Sequence, residues 1–366
     1  MTAQRLRSVA RSVISSLRHY AGAWRLASAA ALLLACLARP EWPMPRHLYE
    51  HVVVLDVTQS MNVADQQWQD KPVSRLDFAK HQLRAALLAL PCGSRLGWGL
   101  FTEYRSFLLF APVEVCANLS ELRSTLAQID GRMAWTGNSE VAKGVFSGIA
   151  IASALPSRPS LVFITDGQEA PPVNPRHRPA FPGKVGEIGG LLVGVGELTP
   201  SPIPKVDPLG RPMGVWRADE VMQTDPRSQG RSGSVGGEKL VDDPADAGSA
   251  PAPALPGVVA GNEHLSALRE GYLRMLAAEV GLGFHRLQSA EAFQAALTAP
   301  PLAKPLDAAL DLRPVLLLLV LGLLLWEPLR GLAGPLAGRF SRIRRISLPT
   351  RARQTRRSGS GGEKTR

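Results

Sequence analysis

Short unbroken apolar runs alternate with helical periodicities along the middle of this chain. Val52, Val53, Val54 and Leu55 run straight into Asp56, "SLVFITDGQE" closes on Asp166, and "IGGLLVGVGEL" is a third such run. Runs of this length, bounded by polar residues, predict strands buried on both faces. Between them, Leu76, Phe78, Ala79, Leu83, Ala86, Leu87 and Leu90 recur at helical spacing, with Ser74 as the N-cap candidate. Leu119, Leu122, Leu126 and Ile129 mark a second helix. Val141, Val145, Ile149 and Ala152 mark a third, which the spacing starts at Ser139 as its cap. A last amphipathic helix in "EHLSALREGYLRMLAAEVGLGFHRL" ends at Gly281 or Gly283 and leads into a short strand. "LGWGLF" and "FLLFAPV" predict a hairpin turning near Tyr104. This order predicts an α/β fold with an open, mostly parallel sheet. Ligands of such sheets sit beyond the carboxyl ends of the strands, where Asp56 and Asp166 both fall.

The two ends of the chain read differently. "LASAAALLLACLA" (26–38) and "VLLLLVLGLLLW" (315–326) are continuous apolar segments, with Trp42 and Trp326 where an aromatic belt would place them. Each run is shorter than the ~20 residues that cross a bilayer unaided, so each needs its flanks. We expect transmembrane segments over 21–40 and 310–330. The alternatives are a cleaved signal peptide at the front, with "LLAC" weakly resembling a lipoprotein cleavage box, and a buried core helix at the back.

Formal charge sharpens this picture. The chain carries a net +11, yet residues 1–46 hold seven arginines against Glu41, and residues 330–366 hold eleven Lys and Arg against Glu363. The centre is therefore mildly acidic, which excludes a basic nucleic-acid groove in the folded body. The positive-inside rule then puts a basic N-terminus (1–20) and a basic tail (331–366) in the cytoplasm. The domain over 47–298 faces the far side of the inner membrane, which in a bacterium is the periplasm. Within that domain, residues 224–261 are rich in Gly, Pro, Ser, Asp and Ala and read as a disordered insertion. Cys92 and Cys116 are equidistant from the expected hairpin turn. They are either a disulfide, in an oxidising compartment, or two unrelated buried thiols.

Asp56, Thr58 and Ser60 stand at alternate positions after a buried strand and offer one carboxylate and two hydroxyls. These are hard oxygen donors suited to Mg²⁺ once further loops contribute. The candidates for the remainder are Ser139, or Thr136 three residues earlier, and Asp166. Taken singly, each is also an ordinary cap or turn residue.

Together, "VVVLDVTQSM", the hairpin "RLGWGLFTEYRSFLLFAPV" and "FITDGQE" resemble the ordered motifs of von Willebrand factor A domains, over about residues 47–290 less the insertion. The resemblance implies a Rossmann-like sheet with one antiparallel edge strand and helices on both faces. It implies a metal-ion-dependent adhesion site for Mg²⁺ (or Ca²⁺ or Mn²⁺), formed by Asp56, Thr58, Ser60, Asp166 and Ser139 or Thr136. A carboxylate from a protein partner fills the open coordination position. Thr58 departs from the family's first Ser but keeps the hydroxyl. "GNSEVAKGV" aligns Ser139 with the liganding Thr of the family.

Two flanking membrane segments make the chain similar to inner-membrane relatives that work with MoxR-type AAA+ ATPases. "DVTQSMNVAD" resembles the accessory proteins of methanol dehydrogenase maturation, which implies methanol dehydrogenase, a MoxR-type ATPase and sister von Willebrand factor A proteins as partners. The expectation is a docking module and not an enzyme. One alternative is a Bat-type aerotolerance complex. A second is a Mg²⁺-dependent phosphotransferase with Asp56 as nucleophile, but Thr58 stands where such enzymes carry a second Asp.

Overall fold

The apolar run at Val52 is the buried end of a much longer strand. A computed structural model describes residues 23–173, 178–207, 209–223, 255–256 and 261–343, with backbone only at 307–309, 327 and 330–343. In chain order the elements are helix α1 (23–37), β1 (Glu41–Asp56), β2 (Gln66–Trp68), β3 (Lys71–Val73) and α2 (Arg75–Ala89). Then come β4 (Arg95–Thr102), β5 (Arg105–Leu108), β6 (Val113–Glu114), α3 (Leu119–Gln128), α4 (Val141–Ala154), β7 (Ser160–Thr165) and β8 (Gly190–Gly194). The short strands β9 (Ser201–Pro202), β10 (Pro204–Val206), β11 (Pro212–Val215) and β12 (Leu265–Ser266) precede α5 (Glu270–Val280). The chain closes with β13 (Gly283–Arg286), α6 (Ala290–Leu297), β14 (Ala303–Asp311) and α7 (Arg313–Ile343).

The main sheet has the order β13-β8-β7-β1-β4-β5, with β14 also pairing β1 and β6 pairing β4. Every contact from β13 across to β4 is parallel, and β5 and β6 run antiparallel to β4. This is the open, mostly parallel sheet with an antiparallel edge that the sequence predicts. The period of two along β1 splits the core in half. Val53 and Leu55 pack with Phe78 and Leu83 of α2, Leu122 of α3 and Phe293 of α6. Val52 and Val54 pack with Val145 and Ile149 of α4 and Leu273 and Leu276 of α5. Helix α4 lies especially close to the sheet, since a Cβ built on Gly144 would stand 2.2 Å from the Phe101 ring.

Local signals explain the element ends. Ser74 accepts from the Asp77 amide at 3.0 Å, as its N-cap role requires, and Gly281 closes α5 at φ 81°. The hairpin turns at Glu103 and Tyr104, between the paired residues Thr102 and Arg105. Cys92 and Cys116 are joined in a disulfide with a Cα–Cα distance of 5.3 Å, while Cys36 is free.

Several boundaries need correction. Strand β1 reaches back to Glu41 although residues 41–47 are exposed, so no apolar pattern announces its start. Strand β14 returns to β1, which extends the body to Met44–Ala308, beyond the expected 47–298. Helix α4 begins at Val141, not at Ser139. The expected insertion at 224–261 falls, apart from 255–256 and 261, outside the described residues, as do 1–22 and 344–366.

The described residues of the chain ends, 23–43 and 309–343, belong to a separate unit. Its helices leave Leu33, Leu34, Leu37, Leu318, Leu319 and Trp326 exposed. The Leu312 amide donates to the Pro40 carbonyl at 3.1 Å. The apolar helix starts at Arg313, because the first residues of the expected span at 310–330 belong to β14. Among the described residues, no helix is long and apolar enough to cross a membrane.

Candidate functional site

The carboxyl ends of β1 and β7 meet at Asp56. One of its oxygens accepts from the Thr58 amide at 2.9 Å, and the other accepts from the Thr165 hydroxyl at 2.6 Å. Asp56 is fully buried and thereby ties two neighbouring strand ends together. Thr58 heads a 3₁₀ turn over Gln59–Asn62 that its hydroxyl does not cap. That hydroxyl instead lies 3.5 Å from the Ser60 hydroxyl. Thr58, Ser60 and Ser139 all line one cavity of about 230 Å³.

Ser139 arrives from a distant loop and is fixed by backbone alone. Its amide donates to the Ala170 carbonyl at 2.6 Å, and the Ala170 amide returns a bond at 2.8 Å. The next amide, Glu140, donates to the Glu103 carbonyl at 2.5 Å. Ser139 does not cap α4. Glu169 does so from across the site, accepting from the Val141 and Ala142 amides at 2.9 and 3.0 Å. The Tyr272 hydroxyl also donates to Glu169, at 2.5 Å. Burial pushes the Glu169 carboxyl up to about 7, against the pull of these donors. The consequence is a buried Ser139 hydroxyl with no hydrogen-bond partner among the described residues. Such a group costs free energy unless something else satisfies it. Thr136 is only half-buried, lies outside the cavity lining, and accepts from the Asn138 amide at 3.3 Å. The structure thus brings Ser139, and not Thr136, to Thr58 and Ser60.

Asp166 lies behind these hydroxyls, off the cavity wall, and is already engaged. It meets the Arg75 guanidinium at 2.5 Å and accepts from the Ser266 hydroxyl at 3.1 Å and the Gln168 amide at 2.9 Å. Arg75 also pairs with Asp65 at 2.6 Å and donates to the Ser266 carbonyl at 3.0 Å. Gly196, at φ 127°, makes room for it, since a Cβ there would stand 2.7 Å from the Arg75 Nε. The Arg75 partner set was invisible in the sequence. An arginine just after a helix cap reads as solvent-facing, and its acids lie in other segments.

Asp65 and Asp166 together set two carboxylates on one guanidinium, and Asp56 lies near enough to Asp166 to feel its charge. Burial and the charge of Asp166 push the Asp56 carboxyl well above its usual range, against the hydrogen bonds from Thr165 and Thr58. Asp65 is held low by Arg75. This donor set fits a hard divalent cation, with Thr58, Ser60 and Ser139 on the cavity side and Asp56 behind them. Among the described residues, no group of three or more His, Cys, Asp or Glu side chains could hold a metal by itself, so any ion here depends on hydroxyls.

No protein-family model matches the chain, and no curated protein matches it. Among solved structures, it is similar to an aerotolerance-related membrane protein from Bacteroides fragilis, with 18% identity over 68% of this chain and 96% of that one, at a TM-score of 0.41. It is also similar to the ArnB paralog VWA2 from Sulfolobus acidocaldarius, with 10% identity over 70% and 46% of the two chains, at a TM-score of 0.34. A von Willebrand factor type A protein from Catenulispora acidiphila shows 13% identity over 40% and 33%, at a TM-score of 0.29. These scores are low, and the fold stands on its own strand order and polarity.

Proposed function

We propose that this chain is a membrane-anchored interaction module of the von Willebrand factor A type, and not an enzyme. A divalent cation, Mg²⁺ or in its place Ca²⁺ or Mn²⁺, is held by Thr58, Ser60 and Ser139 with Asp56 behind them. The ion supplies a Lewis-acidic position that accepts a carboxylate from a partner protein. One observation supports this above the others: hydroxyl-bearing residues from two distant loops line one cavity, and the buried hydroxyl of Ser139 among them lacks a partner among the described residues. The exposed leucines of α1 and α7 support the membrane anchor, and the Cys92–Cys116 disulfide supports a periplasmic body. Asp166 acts at one remove, by balancing Arg75.

Within this reading, the chain serves as an accessory factor in maturation of, or metal insertion into, periplasmic methanol dehydrogenase, beside a MoxR-type ATPase and sister modules. A Bat-type aerotolerance complex is the second assignment on the same site. Phosphoryl transfer from Asp56 fits poorly, because that carboxylate is buried behind Thr58 and absent from the cavity wall. Binding through a single ion is modest, and the tethers compensate by raising effective concentration.

The test is a pull-down from membranes with and without EDTA, comparing wild type with Asp56→Ala. We expect a client held by wild type in Mg²⁺ and released by EDTA or by the substitution. A client retained equally in all samples eliminates ion-bridged docking.

A further inference from the structure

The cavity has a roof, to which Ile203, Trp216, Glu220, Val221 and Met222 belong. Trp216 donates from its indole nitrogen to the Gln59 side chain, and Gln59 sits between Thr58 and Ser60. The Trp216 amide donates to the Ile203 carbonyl at 3.0 Å, which links the two halves of the roof. Lys205 stacks on the Trp216 ring at 4.4 Å and pairs with Glu220 at 2.7 Å. Ile203, Trp216, Val221 and Met222 line the cavity beside the cation ligands. Met222 is 62% exposed at its margin. Met133 and Trp135, on the loop leading to Ser139, are exposed as well. Apolar side chains held in water on both loops that frame one cavity mark a contact surface.

Three features define the occupant. First, about 230 Å³ is below the roughly 300–1,000 Å³ of pockets for drug-sized ligands, so the space suits one or two side chains. Second, among the described residues no Lys, Arg or His lines the cavity, so the ion is the one positive charge there for an entering carboxylate. Third, the three glutamates on the wall, Glu169, Glu220 and Glu263, disfavour a second negative charge. Beside the polar Gln59, Asn138 and Gln168, the wall carries Ile203, Trp216, Val221 and Met222.

We infer that the cavity selects a partner segment with a single acidic residue placed next to a bulky aliphatic or aromatic one, the carboxylate reaching the ion while its neighbour packs against Ile203, Trp216 and Met222. This rests on the docking reading above and adds a sequence preference to it. Trp216 and Met222 are then specificity residues, and charge alone does not define the client.

The experiment uses the full chain in detergent, saturated with Mn²⁺, and fluorescent peptides on a Gly-Ser spacer that differ only in having Leu, Phe or Gly beside one Asp. Mn²⁺ binding is measured in parallel. Seating one apolar side chain should tighten the Leu and Phe peptides about tenfold or more over the Gly peptide. EDTA should abolish all binding. The preference should shrink in Met222→Ser and vanish in Trp216→Ala, with the surface position of Met222 guarding against a folding defect. Equal affinity for the three peptides in Mn²⁺ overturns the roof preference and leaves ion-bridged docking standing. Failure of every peptide to bind, or of Mn²⁺ itself to bind, overturns the docking reading and this inference with it.

Discussion

Replacing Arg75 by Met should destabilise the protein by about 3–5 kcal/mol, the usual cost of removing one partner from a buried ion pair. Arg75 is fully buried and reaches two carboxylates and both oxygens of Ser266. Its removal leaves Asp166 buried with no cation and Asp65 with its main partner gone. Lysine should not substitute, because its single ammonium cannot span the fork that meets Asp65 through Nε and Nη2 and Asp166 through Nη1. Thermal or urea unfolding of the full chain in detergent measures the loss. The double variant with Asp166→Asn should recover part of it, because the stranded charge is then removed as well. A loss below about 1 kcal/mol, the range of surface ion pairs, would show that Arg75 is solvated and not the keystone of the strand ends.

The contrast between Arg75 and Ser139 shows what a sequence pattern carries. The strands at Val52, Leu161 and Leu191 were legible because each is a short apolar run that meets a polar residue at the sheet rim. The helices were legible from spacing, and the edge hairpin from alternation. The exposed start of β1 and the return strand β14 were not, because neither buries a periodic face. Ser139 was read both as helix cap and as ligand. The structure gives the cap to Glu169, 28 residues beyond the capped Val141 and unreadable from local pattern, and that exchange is what leaves the Ser139 hydroxyl unpartnered. The roof over the cavity was missed for the same reason. Its hold on the site includes the bond from Trp216 to Gln59, between residues 157 apart.

Opening the disulfide should be the second large effect. Cys92 and Cys116 are separated by 24 residues, and a loop of that length gives about 3.5 kcal/mol in the chain-entropy treatment. The closed loop contains β4, β5 and β6, the whole antiparallel edge of the sheet. It also carries Glu103, whose carbonyl accepts from the amide next to Ser139. Reduction should therefore loosen the edge first and the Ser139 loop with it. Unfolding with and without dithiothreitol, and of the Cys92→Ala, Cys116→Ala double variant, should show equal drops in stability. Hydrogen exchange should place the earliest loss of protection in β5. An unchanged midpoint on reduction would mean that the edge is held by its packing and not by the bridge.

The cation itself is the sharpest point of attack. Mn²⁺ binding to the full chain, followed by electron paramagnetic resonance, should reveal one saturable ion per chain that Mg²⁺ displaces. Ser139→Ala removes a donor from the cavity wall and Asp56→Ala removes the charge behind it, so each should weaken Mn²⁺ by about tenfold or more, whereas Thr136→Ala should leave it unchanged. Absence of saturable binding, or the same affinity in wild type, Ser139→Ala and Asp56→Ala, would refute a divalent cation at this rim.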